Sequence, residues 1–284
     1  MDFVDTGNEN SIESRYMSKN KKKRVLRKDN LILTLLFLVG FIIVLISIIN
    51  LSGMQHGYRE TSRKYKMAKE AYVVAVEDKV DASNAGETPE RYVAWYEEIS
   101  VDWVGLREAN PEIVGWIYFE DEDISYPVLY SGDNEKYLST SYDGDYLKAG
   151  SIFVDGRNNP DFQDGHTIIY GHNMKNLSMF GKLRYYRQDK EYSDTHRYFQ
   201  ILTQNAKYRY QIVAFREVEV TDNIYSVYKN CDDGFVEFVA DTINKGAQYS
   251  EDIEVAQDGK IITLSTCSKG EARFVVSAVL IDEY

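Results

Sequence analysis

Cys267 closes the segment KIITLSTC, residues 260–267. Strand alternation puts Ile261, Thr263, Ser265 and Cys267 on one face. A cysteine at a strand end, after Ser and Thr and before the polar loop SKGEA, is poorly placed for core packing and well placed for thiol chemistry. The chain returns through RFVVSAVL, so a hairpin register holds Arg273 near the thiol, where a cation favours thiolate. A thiolate nucleophile also needs an acid/base partner. There are four histidines. His56 lies beside an apolar run, and His196 sits in the polar context DTHRY. His166 opens the segment HTIIYGH and His172 closes it, so both share one strand face with Ile168 and Tyr170. His166 follows the turn residues Asp164-Gly165 and reads as a solvated strand-start residue. Each His taken alone reads as a structural or solvated residue, but a strand-end Cys, a strand-end His and an Arg together are less easily dismissed. Cys231, in the polar loop NCDDG, is the other cysteine. A disulfide to Cys267 is the structural alternative.

Other chemistries find little support. The sequence has no CxxC, HExxH or histidine pair at helical spacing for a metal. The run Asp121-Glu122-Asp123 reads as a solvated hairpin tip, not a calcium loop. GxGxxG and GxxxxGK[ST] are absent, so no nucleotide cradle is expected. Residues 1–54 hold 8 Lys/Arg and 5 Asp/Glu, which leaves the remainder of the chain at a net charge of −15. That acidity argues against nucleic-acid binding. The 44% of apolar residues is enough for a proper core, and 4 Pro with 18 Gly exclude low-complexity classes.

The elements that must carry these residues are mostly strands. GWIYF and ISYPVLY flank the acidic turn as a hairpin, with Pro127 suggesting an edge position. GSIFVD, HTIIYGH, RYFQILT, YRYQIVAFREVEV, KIITLST and RFVVSAVLI follow as further strands. One helix interrupts them, capped by Asp232/Asp233, with Phe235, Phe238, Val239, Thr242 and Ile243 as its buried stripe. Upstream, Thr88-Pro89-Glu90 reads as a helix start. Tyr92, Trp95, Tyr96, Ile99, Trp103 and Leu106 then form one stripe of an amphipathic helix. The fold class is mainly β: a closed, mostly antiparallel barrel with N-terminal helices and one late crossover helix.

Ahead of the barrel, Leu31–Leu51 runs 21 residues without a charge, about 30 Å of helix, the thickness of a bilayer core. Seven of the ten positions from Lys19 to Lys28 are Lys or Arg. The positive-inside rule therefore places the N-terminus in the cytoplasm and the bulk outside. The expected organisation is a basic cytoplasmic tail (1–30), a transmembrane anchor (31–51), a stalk and linker (52–87) whose first part is helical, and a catalytic domain (88–284).

TLSTC (263–267) followed by Arg273-Phe274-Val275-Val276 resembles the active-site hairpin of sortases, and TIIYGHNM (167–174) resembles their catalytic-His segment. NPEIVGWI (110–117), AGSIFVDGRN (149–158) and SMFGKL (178–183) are similar to class B sortases in particular. The resemblance implies an eight-stranded sortase barrel. It also implies a transpeptidase that cuts the C-terminal sorting signal of a surface protein and joins it to an amine of a peptidoglycan precursor, with no metal or organic cofactor. By motif position it makes Cys267 the nucleophile, His172 the acid/base and Arg273 the oxyanion or substrate clamp. The stretch Asn134-x-x-Tyr137-Leu138 resembles the class B groove, making Asn134 and Leu138 substrate-binding candidates. Tyr170 and Ser265 join them because they share strand faces with His172 and Cys267. Five residues separate Cys267 from Arg273, a shorter loop than some class B members carry.

Three other readings stand beside this one: a pilin polymerase using a Lys amine, a plain extracellular cysteine protease, and a non-enzymatic anchored binding domain. Cys267→Ala should abolish cleavage and transfer while the barrel still folds, and Cys231→Ala should leave activity nearly intact. Peptide turnover of the two variants checks this; equal loss in both would mean that the nucleophile is misassigned or that the two cysteines are bonded.

Overall fold

A computed structural model describes residues 9–75, 94–248, 259–267 and 272–284. The expected linker Asp81–Glu87, the helix start Thr88-Pro89-Glu90 with Tyr92, and most of the loop between Cys267 and Arg273 lie outside the described residues. The chain divides into two units, Met1–His56 and Gly57–Tyr284.

In the first unit, helix α1 (Glu9–Tyr72) carries the run Leu31–Leu51 with its side chains exposed all round. This helix is long and apolar enough to cross a membrane.

In the second unit, the last turns of α1 are a packed part of the domain. Thr61, Tyr65 and Ala68, spaced i, i+4 and i+7, are buried. The Tyr65 hydroxyl donates to the Gly150 carbonyl at 2.5 Å. Lys64 pairs with Asp143 and Asp145, and Lys69 with Asp123. The segment expected as a stalk therefore holds the barrel by one face. The expected stripe from Tyr92 to Leu106 is not a single helix. Trp95–Glu97 is a 3-10 turn, Ile99–Val101 is a strand, and only α2 (Trp103–Ala109) is helical. Ile99–Val101 pairs with Val73–Ala75, and that pairing takes the segment out of helix. Trp95, Ile99 and Leu106 are buried all the same, so the spacing identified the core side but not the conformation.

Eight strands close the barrel: β1 (Ile113–Phe119), β2 (Ser125–Leu129), β3 (Ile152–Val154), β4 (His166–His172), β5 (Tyr198–Leu202), β6 (Lys207–Glu219), β7 (Ile261–Cys267) and β8 (Ala272–Glu283). The order around the ring is β8-β7-β4-β3-β2-β1-β5-β6, and β6 pairs again with β8 to shut it. Two of the pairings, β4–β7 and β2–β3, are parallel. Pro127 pairs with Trp116 on β1, while the β3 pairing begins only at Val128. Its missing N–H therefore faces an open side, as a strand proline requires. Glu122, expected as a solvated tip residue, is instead half-buried, paired with Lys182 and bonded by Tyr192.

The two faces of β4, β7 and β8 meet different neighbours. Ile169, Ile262, Leu264 and Val276 fill the barrel interior. Ile261, Val275 and Val279 point outward against Phe235, Phe238 and Val239 of the crossover helix Asp233–Lys245. Asp232 caps that helix by accepting from the Phe235 amide at 3.0 Å. The helix therefore roofs one half of the outer face and leaves the other half, toward the ends of β4 and β7, uncovered by it. Two short helices at Tyr185–Gln188 and Lys190–Thr195, the second capped by Asp189, were not legible as periodic stripes.

Tyr65→Ala should destabilise the protein by about 3–5 kcal/mol, the scale for a buried aromatic truncated in a core. A chain beginning at Gly57 should keep its melting temperature, and one beginning at Val73 should lose it. Thermal melts of the three check the role given to the end of α1.

Candidate active site

The parallel pairing of β4 with β7 runs in strict register from Ile261↔His166 to Cys267↔His172. The β7–β8 hairpin pairs Cys267 with Arg273. Arg273, Cys267 and His172 thus form one row across three adjacent strands, about 5 Å apart at each step. Residues paired in this way belong to the same face of a sheet, here the outer face beyond the crossover helix. Two residues earlier, Tyr170 and Ser265 form the next row.

Local packing fixes the end of β4. A Cβ at Gly171 would meet the fully buried Phe180 ring at 2.6 Å, so only glycine admits that ring beneath the strand. The loop after His172 folds straight back: the Phe180 amide donates to the His172 carbonyl at 3.1 Å. Arg184 ties the same loop, donating to Asn173 Oδ1 and to the carbonyls of Met174 and Gly181. Leu177 and Met179 take positive φ of 67° and 54° within it, a strained backbone that the surrounding bonds must hold. The half-buried His172 ring donates from Nε2 to the Leu138 carbonyl at 2.8 Å. That bond keeps Nε2 protonated and leaves Nδ1 for proton exchange.

Beside the row lies a groove of about 350 Å³. Asn134, Leu138, Tyr170 and Arg273, all expected at the site, line it together with Phe153, Arg157, Val220 and Tyr225. A larger cavity of about 660 Å³ between the end of α1 and β1–β2 contains none of the row. The smaller groove is the one that adjoins the row, through Arg273.

A sortase-domain family model matches residues 117–281. The chain belongs to the sortase family. Sortase B of Listeria monocytogenes is 38% identical over 57% of this chain and 65% of its own length, so the match spans just under two thirds of that relative. Sortase B of Staphylococcus aureus is 28% identical over 72% of this chain and 87% of its own. The crystal structure of sortase B from Bacillus anthracis superposes with a TM-score of 0.64 at 30% identity, covering 80% of this chain and 99% of that one. The eight-stranded barrel is therefore a class B sortase barrel.

Within this sortase, not every expected residue faces the groove. Ser265 is fully buried, and its hydroxyl meets Tyr225 Oη at 3.0 Å; it supports the groove from beneath and does not line it. Asn134 accepts from the Gly156 amide at 2.8 Å through Oδ1, pinning the turn after β3. That turn carries Asp155 and Arg157, which sequence reasoning did not single out. Asp155 is fully buried and accepts from Arg157 and from the Tyr170 hydroxyl. Burial alone would raise its pKa, but these donors outweigh it and hold the carboxyl at about 2. Burial, with the Asp155 charge next to it, pushes the Tyr170 phenol well above its ordinary range. The only sequence signal was an Asp and an Arg two residues apart in a string that reads as a turn.

His166 corrects its expectation most sharply. It is completely buried, with Nδ1 against the Ser226 carbonyl at 2.7 Å, Nε2 against Thr263 Oγ1 at 2.9 Å, and its ring 4.7 Å from that of Phe238. The crossover helix roofs this end of the face, which alternation along β4 could not reveal. Burial lowers its pKa to about 4. The folded state holds His166 neutral, while the unfolded chain takes a proton near pH 6.5. Its contribution to stability is present above pH 6.5 and is lost as pH falls from there toward 4, by about 3 kcal/mol in all. Melts between pH 7 and 4 should show this slope in the wild type and a shallower one in His166→Gln. Equal slopes would mean that His166 does not carry it.

Proposed function

We propose that the chain is a membrane-anchored cysteine transpeptidase that cleaves the C-terminal sorting signal of surface proteins and transfers the new carboxyl to an amine of a peptidoglycan precursor. The observation that supports it most is the single row Arg273–Cys267–His172, set by backbone pairing, beside a groove of about 350 Å³. The same family assignment in the Listeria, Staphylococcus and Bacillus relatives favours it.

In this reading the Cys267 thiolate attacks the scissile carbonyl, forming a C–S bond and an oxyanion. Arg273 and a backbone N–H stabilise that oxyanion. As the C–N bond breaks, the His172 imidazolium gives its Nδ1 proton to the departing amine. The thioacyl enzyme remains until an acceptor amine attacks it, returns a proton to His172 and expels the thiolate. Neither step needs a metal or cofactor. Residues of the groove, Asn134, Leu138 and Tyr170 among them, hold the peptide extended, and Ser265 acts through Tyr225. The basic cluster Lys19–Lys28 before Leu31–Leu51 favours a cytoplasmic N-terminus with the catalytic domain outside.

The test is incubation with sorting-signal peptides in the presence and absence of glycyl and lysyl amines. Transfer to a glycyl-type amine supports the reading; transfer only to a lysine side chain identifies a pilin polymerase, and hydrolysis indifferent to amine identifies a protease. Arg273→Lys should lose about 10²-fold or more in rate, the scale of one oxyanion donor, because Lys lacks the planar fork. Near wild-type turnover would reduce Arg273 to a general electrostatic role.

A further inference from the structure

The groove contains a second guanidinium that the reaction does not use. Arg157 follows β3 through the turn Asp155-Gly156 and is half-exposed into the groove. Its Nε and Nη2 donate to the two oxygens of Asp155 at 2.9 and 2.7 Å. The same carboxylate accepts from the Arg157 amide and from the Tyr170 hydroxyl. Asp155 is thereby saturated, with no exposed surface. A guanidinium carries five N–H donors in one plane. Clamped along its Nε–Nη2 edge, Arg157 has its Nη1–Nη2 edge left for the groove. The Tyr170 hydroxyl also lies against the guanidinium, and the remaining N–H donors, on a side chain 55% exposed, face the groove.

Two physical consequences follow. The clamp removes the rotamer freedom that a long side chain loses on binding, so the free edge is preorganised. The buried carboxylate neutralises the charge, so the edge offers paired N–H donors without a net cation. Donors of that kind complement an uncharged carbonyl oxygen. Tyr170, fixed by the same carboxylate, lies two residues, about 7 Å, from the catalytic row along β4, which matches about two residues of an extended peptide.

We infer that Arg157 is a specificity-determining residue whose free guanidinium edge binds an uncharged carbonyl oxygen of the sorting peptide, about two residues from the bond that is cut, with Asp155 as its positioning residue. The inference rests on the transpeptidase reading and names a recognition element within that groove. The oxygen comes from a side-chain carboxamide or from the peptide main chain, and the two sources are separable.

The experiment measures kcat and KM of the full chain for a sorting peptide and for a set in which each polar side chain is replaced in turn by an apolar isostere. Arg157→Met should raise KM about ten- to hundredfold, the loss of one or two hydrogen bonds, while kcat changes by less than about threefold. Arg157→Lys, which keeps the charge without the fork, should restore little. The alkylation rate of Cys267 and its pH dependence should match the wild type, because Arg157 is not in the catalytic row. If the penalty vanishes for one isostere peptide, the oxygen is a carboxamide; if it persists through the whole set, it is a main-chain carbonyl. Arg157→Met leaves Asp155 buried without its partner, so Asp155→Asn/Arg157→Met is measured beside it and should show the same KM. An unchanged KM in both variants, or a loss confined to kcat, overturns the inference. A wild-type protein inactive on every peptide would instead defeat the transpeptidase reading itself.

Discussion

The parallel register between β4 and β7 is the constraint on which the site depends. Seven consecutive pairs, from Ile261↔His166 to Cys267↔His172, set two strands side by side with no slip. A displacement of one residue would move His172 to the opposite face from Cys267, because side chains alternate with period two. The antiparallel β7–β8 hairpin then brings Arg273 into the same row at no further cost in order. Barrel closure through β8 and β6 locks all three strands at once, so backbone pairing brings together residues far apart in sequence.

Around this row the structure separates support from access. The crossover helix buries the near half of the outer face, where His166, Thr263 and Ser277 form a closed hydrogen-bonded layer. The far half remains for the groove. There the loop tied by Arg184 and the carbonyl of Leu138 orient His172, while Asp155 organises Tyr170 and Arg157 from beneath. One sheet face thus serves as core at one end and as the wall of a groove at the other.

Much of this was legible in the sequence. Alternation placed Cys267 and Ser265, and His172 and Tyr170, on shared faces, and the hairpin back to Arg273 followed from the short separation. The strands and the crossover helix were readable because their apolar periods are clean. What failed did so for tertiary reasons. The stripe from Trp95 to Leu106 has helical spacing, but pairing with Val73–Ala75 overrode it. The helical turns after Gly57 carry many polar residues, yet Thr61, Tyr65 and Ala68 suffice to dock them. His166 and Ser265 looked accessible because period two tells which face a residue takes and not what covers that face. Arg157 was passed over because a turn-like Asp-Gly-Arg string hides a buried carboxylate until β3 is folded.

The central claim is that the backbone row couples Cys267 to His172 as a thiolate–imidazolium pair. The most direct test is the alkylation rate of Cys267 as a function of pH, in the wild type and in His172→Gln. Coupling predicts that the wild-type thiol reacts at lower pH and that removing the imidazole shifts the whole profile upward, toward an ordinary cysteine. Superimposable profiles would contradict the account.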